Sequence, residues 1–160
     1  MKSEAVLTLM FLAALVMFLP VSSRSHCEIP CGIYDDEMRY DMLEEHIATI
    51  EKSMVMTNTL SEDGDKNYNQ LVRWILNKEE HAVKFMNIIT QYFLTQRIKP
   101  TAPDTGEIHG DYMKQLTLMH EMLIYAMKCK QTTDRANAEK LRELVAESRK
   151  LYFKRHGRER

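Results

Sequence analysis

The chain contains few of the residues that interrupt helices or build β-sheets. Glycine occurs five times and proline four times in 160 residues, and no stretch alternates apolar with polar side chains. Tight turns between short strands depend on glycine and proline, and a half-buried strand shows strict alternation. The sequence therefore argues against a β-sandwich or β-barrel and predicts an all-α fold.

The chain also lacks an excess of charge of either sign. It has 22 lysine and arginine residues against 23 aspartate and glutamate residues, for a net charge of -1. A nucleic-acid-binding domain usually carries a pronounced basic patch. The only basic cluster is the terminal stretch 154–160, which is short and interrupted by Glu159. We interpret it as a solvated helix end and expect no nucleic-acid partner.

A long apolar run occurs only near the start of the chain, at residues 5–19. It is shorter than the roughly 20 residues that a transmembrane helix needs. Lys2 precedes the run, and the small residues Ser23 and Ser25 follow it, which is the pattern of a cleavable secretory signal. A retained membrane anchor is the alternative interpretation of the same run.

Cleavage after Ser25 divides the chain into a leader, residues 1–25, and a mature protein that begins at His26. The mature length, residues 26–160, fits one domain with a sizeable core. We therefore expect export to the extracellular space, the periplasm or an organelle lumen, with no membrane attachment once the leader is removed.

Four stretches of the mature chain repeat apolar residues at three- and four-residue steps, the spacing of one helix face. The first predicted helix runs from about 36 to 60, with Asp35 or Asp36 available as its cap. Its predicted core positions are Leu43, Ile47, Ile50 and Met54. The second predicted helix is longer, carries apolar residues from Leu71 to Phe93 and ends before Pro100.

Two further helices follow, marked by apolar residues within 116–127 and 141–152. The stretch 61–65 has the composition of a turn, and residues 100–106 contain two prolines and a glycine that indicate a loop. Because most of these connections are short, the sequence predicts an up-and-down four-helix bundle.

Directly after the predicted cleavage point, metal-binding atoms are concentrated in six residues. His26 would provide a free amine and an imidazole, Cys27 a thiolate and its own backbone nitrogen, and Cys31 a second thiolate. Two nitrogens and two thiolates in a plane suit Ni(II) or Cu(II) better than tetrahedral zinc, and the imidazole could then approach axially. Pro30 stiffens the loop between the thiolates, and Gly32 permits the backbone to leave it.

The nine residues 26–34 read His-Cys-x-x-Pro-Cys-Gly-x-Tyr, with six fixed positions. This pattern resembles the N-terminal metal hook of nickel superoxide dismutases. The resemblance continues through residues 69–74, 77–82 and 91–93, so that it covers most of the mature chain. It implies a four-helix bundle with an irregular N-terminal hook, assembled into a homohexamer with one nickel ion per chain.

The same resemblance implies that the protein disproportionates superoxide into oxygen and hydrogen peroxide while nickel cycles between Ni(II) and Ni(III). It assigns His26, Cys27 and Cys31 as metal ligands. It also places Tyr34 beside the open axial face of the metal, with Tyr92 near it as a second tyrosine.

The outer partners of the axial histidine are less directly specified by this resemblance. In the family a carboxylate and a basic residue from a neighbouring subunit hold the axial imidazole, as expected for a ligating histidine. This chain departs from that pattern, because Leu43 or Met42 stands at the position where the family sometimes has the carboxylate. Glu45 is adjacent and His81 falls near the position of the basic residue, so both are hypotheses for this role.

The main alternative for the hook is a disulfide between Cys27 and Cys31, because closely spaced cysteines in exported proteins usually pair. A secreted helical binding or signalling protein is the function that would go with it. Cys129 is interpreted as a buried helix residue.

A di-iron bundle is disfavoured by the spacing of its ligands. Such a site requires Glu-x-x-His motifs, but the residues three positions before the histidines of the two Glu-Glu-His sequences are Leu43 and Lys78.

Overall fold

The computed structural model describes residues 36–62 and 66–155. The predicted leader and the predicted hook at residues 26–34 lie outside the described residues, as does most of the predicted turn at 61–65.

Four long α-helices form the described chain, as predicted. Helix α1 spans Asp36–Glu62, α2 spans Tyr68–Asn87, α3 spans Glu107–Gln131 and α4 spans Ala136–Arg155. Ser61 and Glu62 belong to α1 and not to the turn that their composition suggested. The loop after residue 98 contains a single 3₁₀ turn, Pro103–Thr105.

The second predicted helix changes its hydrogen-bonding pattern part-way. Residues Ile88–Arg97 continue α2 as a π-helix, in which each N–H bonds five residues back instead of four. Two side chains in this segment also bond five residues back: Thr95 donates to the carbonyl of Thr90, and Gln96 donates to the carbonyl of Gln91. The widened segment ends where the amide of Ile98 bonds the carbonyl of Phe93.

Side-chain contacts show that successive helices run antiparallel. Along the first helix pair the contacts run in opposite directions: Asp36 contacts Tyr92, His46 contacts His81, and Ser53 contacts Asn77. Helix α1 is therefore antiparallel to α2 and its π-helical continuation. Likewise Glu107 and Lys114 of α3 pair with Lys154 and Glu147 of α4. Helix α4 also packs on α1, which closes the up-and-down bundle.

The core lies between the four helices and confirms the apolar face predicted for α1. Leu43, Ile47, Ile50 and Met54 have no exposed surface. Cys129 is also fully buried, as predicted. Ile75 and Met127, which lie within the predicted apolar stretches, are instead 37% and 39% exposed. Met127 follows the fully buried Ala126, and one residue is about 100° around a helix, so its side chain leaves the core face. Among residues 36–62 and 66–155, no helix is long and apolar enough to cross a membrane.

Candidate functional site

A buried carboxylate marks the end of the bundle at which the predicted hook would join it. Asp36 is the first residue of α1 and is only 8% exposed. Tyr92 and Tyr152 donate their hydroxyls to its two oxygens, with the Tyr152 bond at 2.8 Å. The Arg97 guanidinium adds an ion pair at 2.6 Å. Asp36 therefore ties the start of α1 to the π-helix and to the last turns of α4.

These donors keep the Asp36 carboxylate ionised. Burial alone raises its pKa, but the hydrogen bonds from Arg97, Tyr92 and Tyr152 outweigh burial and hold the pKa below its usual value. The same contacts act on the donors. Burial and the bond to Asp36 raise the pKa of Tyr92 to about 12, and that of Tyr152 rises for the same reasons. Both phenols are thus protonated donors near neutral pH.

The π-helix explains how two donors of one segment reach the same carboxylate. Tyr92 and Arg97 are five residues apart, a separation that places side chains on different faces of an α-helix. In a π-helix, residues five apart lie above one another because the hydrogen bonds join them. The ring of Tyr92 also lies under two guanidiniums, with Arg39 at 4.9 Å and Arg97 at 5.7 Å from its centroid.

A second layer of aromatic and polar side chains supports this network from inside the bundle. The ring of Tyr40, one turn after Asp36, packs against Phe93 at 4.7 Å and Tyr152 at 5.8 Å between centroids. Its hydroxyl lies 3.0 Å from that of Ser148, which also accepts a bond from Gln115. The orientation of Tyr152 is therefore fixed on both sides.

His81, proposed as an outer partner of the axial histidine, contacts a second histidine. Its Nδ1 lies 3.2 Å from Nδ1 of His46, and the rings meet edge to face. Burial lowers the pKa of both imidazoles, and it is reinforced by the charges of His81 and Lys84 at His46 and by that of Lys84 at His81. Glu45 is exposed, and its charge acts on both rings by raising their pKa values. This pair lies about 15 Å along α1 from Asp36, given 1.5 Å per residue.

The structure thus brings Tyr92 to the hook end of the bundle and places His81 with Glu45 further along it. The role of each toward His26 remains a prediction, because His26 lies outside the described residues. A contact between His81 and His26 would have to use Nε2, since Nδ1 faces His46.

Metal ligands are not clustered within the described part of the chain. Between residues 36 and 62 and between 66 and 155, no three histidine, cysteine, aspartate or glutamate side chains come together as a metal site. The predicted donors His26, Cys27 and Cys31 precede Asp36 in the chain by five to ten residues. At no more than about 3.6 Å per residue, the chain from Cys31 to Asp36 can span at most about 18 Å, and the chain from Tyr34 at most about 7 Å, between Cα atoms.

Comparison with known families identifies the chain. The profile of the family described as nickel-containing superoxide dismutase matches residues 21–156. The chain belongs to the nickel-containing superoxide dismutase family. It is an oxidoreductase with a nickel cofactor, and superoxide as substrate fits the family. No curated protein and no solved structure shows a significant match to it.

For this nickel superoxide dismutase, sequence reasoning missed most of the network around Asp36. The sequence predicts Asp36 only as a helix cap and Tyr152 only as a residue of the apolar face of the fourth helix, and it indicates no role for Arg97. Their sequence separations of 61 and 116 residues leave no local pattern that would join them. The partner of His81 was missed as well, although His46 follows a Glu-Glu pair just as His81 does.

Proposed function

We propose that residues 26–34 form the nickel site and that the protein disproportionates superoxide there. The nine-residue motif carries this proposal, because it lies within the matched span 21–156 and supplies the soft donors that the metal requires. His26 would bind through its amine and imidazole, Cys27 through its thiolate and backbone nitrogen, and Cys31 through its thiolate.

The chemistry of this donor set fits nickel in a redox role. Thiolates and a deprotonated backbone amide are anionic donors, which favour the higher oxidation state of the metal. Bound nickel would supply a Ni(II)/Ni(III) couple that takes an electron from one superoxide and gives one to the next. The chain itself must expose this site to a small anion and deliver the two protons that hydrogen peroxide contains.

Tyrosines around the hook are suited to control access and proton position. We assign the Tyr34 hydroxyl to restrict entry to the open face and to order water or peroxide there. Tyr34 precedes Asp36 by two residues, so their Cα atoms can be at most about 7 Å apart. Because Asp36 accepts a hydrogen bond from Tyr92, this short connection supports the predicted pairing of the two tyrosines. The Tyr92 hydroxyl keeps its proton near neutral pH, because burial and the bond that it donates to the Asp36 carboxylate raise its pKa to about 12.

Processing at His26 is part of this proposal, since the ligand amine exists only after the leader is cut. Residues 1–25 would direct export and be removed, and residues 26–160 would form the active domain. An added residue before His26 would convert its amine to an amide and remove one ligand.

Exposed apolar residues support assembly with further copies, for which the resemblance implies a homohexamer. Helix α2 exposes an apolar stripe, defined here as Tyr68, Val72, Ile75, Leu76 and Val83. The stripe covers about 22 Å of helix length at 1.5 Å per residue. Met113, Ile124 and Met127 are exposed on the adjacent helix α3. Apolar surface of this extent is typical of a protein interface, and we assign it to contacts between subunits.

Cysteine variants of the enzyme from its own source test the nickel site. Cys27→Ser and Cys31→Ser should each lose nickel and superoxide dismutation together, because each removes a thiolate ligand. Cys129→Ala is the matched control. Cys129 is fully buried and its pKa is raised to about 11 by burial, so it holds little thiolate and should be dispensable for both.

The first residue of the mature chain tests whether the amine of His26 is a nickel ligand. Mass spectrometry should find the mature protein beginning at His26 with one nickel, and a version with one extra residue before His26 should be inactive. A metal-free chain, two hydrogens lighter through a Cys27–Cys31 disulfide, would contradict the proposal and favour a secreted binding protein. Full activity in either cysteine variant or in the extended chain would also contradict it.

A further inference from the structure

Asp36 joins the bundle to the segment that holds the proposed nickel ligands. We infer that Asp36 is a positioning residue for the nickel site. The hydrogen bonds that it accepts from the two tyrosines and the arginine described above fix the first residue of α1, to which residues 26–35 are joined. The inference rests on the proposed function, because it takes the hook at residues 26–34 as the place where nickel binds.

Because Asp36 is the first residue of α1, its hydrogen bonds decide whether the first turn of this helix stays formed. The first turn of a helix has unpaired backbone N–H groups and frays easily. At the start of α1, fraying is opposed by donors from two other elements: Tyr92 and Arg97 from the π-helix, and Tyr152 from α4. The first turn of α1 is therefore clamped against the bundle from two sides.

A clamp at Asp36 restricts the ligands because few residues separate them. Cys31 is five residues upstream, and a thiolate ligand must keep its place relative to the rest of the hook. If α1 frayed through its first turn, about four more residues would be released, and the tether between Cys31 and the fixed helix would nearly double in length. A longer tether samples more conformations, so the ligand set would be less preorganised for nickel.

The donors around Asp36 also keep its buried carboxylate ionised. A neutral side chain at this position would not need so many donors. Three charge-assisted bonds converge on one carboxylate, and such bonds are stronger than neutral ones. Asp36→Asn retains the size of the side chain but removes its charge, and turns one acceptor into a donor that faces other donors. The clamp should then open without a change in core volume.

The test measures the rate at which nickel leaves the folded protein in the presence of excess chelator. For Asp36→Asn we expect dissociation at least about 10-fold faster, the lower end of the effect seen when outer partners of a metal site are lost. Tyr92→Phe and Tyr152→Phe each remove one donor and should give smaller increases. Circular dichroism should show nearly the same helix content in all four proteins, because fraying would remove no more than about one turn of α1.

Ser53→Ala is the matched control for a purely structural effect. Ser53 is fully buried on the same helix and accepts a hydrogen bond from Asn77, about 25 Å along α1 from Asp36. It should lower the stability to urea and leave nickel dissociation at the wild-type rate.

The inference is overturned if Asp36→Asn releases nickel at the wild-type rate, or if Ser53→Ala accelerates release as much. Should Asp36→Asn fail to fold, wild-type release rates in both tyrosine variants would overturn it. A wild-type protein that begins at His26 and binds no nickel would overturn the proposed function itself, which separates the two failures.

Discussion

At the scale of single residues, Asp36 and Lys78 are charged groups buried within the described chain, and each has three hydrogen-bond partners. Lys78 is 3% exposed, lies in α2 and donates to the carbonyls of Cys129, Lys130 and Thr132. These carbonyls belong to the last turn of α3 and the residue after it, where helical acceptors lack partners of their own. A cation at this end also interacts favourably with the helix dipole. Lys78 thus acts as a C-terminal cap supplied by a neighbouring helix.

Lys78→Met should lower the free energy of unfolding by about 2 kcal/mol, because it leaves buried carbonyls without a donor. Urea denaturation followed by circular dichroism would measure the loss. Lys84→Met is the control, since Lys84 is exposed and its ion pair with Glu80 lies at the surface, where solvent screens it. Equal stability of the two variants would show that the three carbonyls are satisfied without Lys78.

At the scale of helices and helix pairs, α1 and α2 meet through two imidazoles, which makes their contact sensitive to pH. Burial first, and then the His81 charge, lowers the pKa of His46, while Glu45 opposes this shift and Lys84 adds to it. Burial, then Lys84, lowers the pKa of His81 against the opposing charges of Glu80 and Glu45. Both rings are thus favoured in their neutral forms within the folded protein.

A lowered pKa in the folded state means that the unfolded chain binds protons more readily. The stability that depends on these rings is therefore complete above the unfolded value of 6.5 and is lost as the pH falls below it toward the folded values. We expect the free energy of unfolding to decrease over this range in urea titrations. His46→Gln should flatten the decrease, because it removes one of the two rings whose pKa is lowered. An unchanged slope in His46→Gln would contradict this account.

The helices could be predicted from the sequence because their apolar spacing is a local property. Leu43 and Met54 lie where a 3.6-residue period places them, and both are fully buried. The π-helix could not be foreseen, since over ten residues its apolar pattern resembles that of an α-helix. The Asp36 network was also out of reach, because the partners Tyr92 and Tyr152 lie 56 and 116 residues away. The nickel ligands were predicted from the hook motif and their arrangement stays a prediction.

At the scale of the whole molecule, the apolar arc of α2 is wider than one bundle can bury. One part of the arc, which includes Ala82 and Phe85, is fully buried in the core. The adjoining part is the α2 apolar stripe, in which Val72 and Leu76 are 52% and 60% exposed. Apolar residues are more favourable out of water, and we propose that a second copy of the chain covers the stripe.

Val72→Glu combined with Leu76→Glu should therefore dissociate the proposed homohexamer into smaller species without unfolding the subunit. Two carboxylates in the centre of an apolar contact would have to be desolvated without partners, which is strongly unfavourable. Sedimentation velocity at micromolar concentration would report the assembly, and circular dichroism would report the fold. Gln70→Glu introduces the same type of charge on an exposed position of α2 outside the stripe and should leave the assembly intact. If the double variant sediments like the wild type, the α2 stripe is not a subunit contact. If the wild type is a monomer, the homohexamer is wrong.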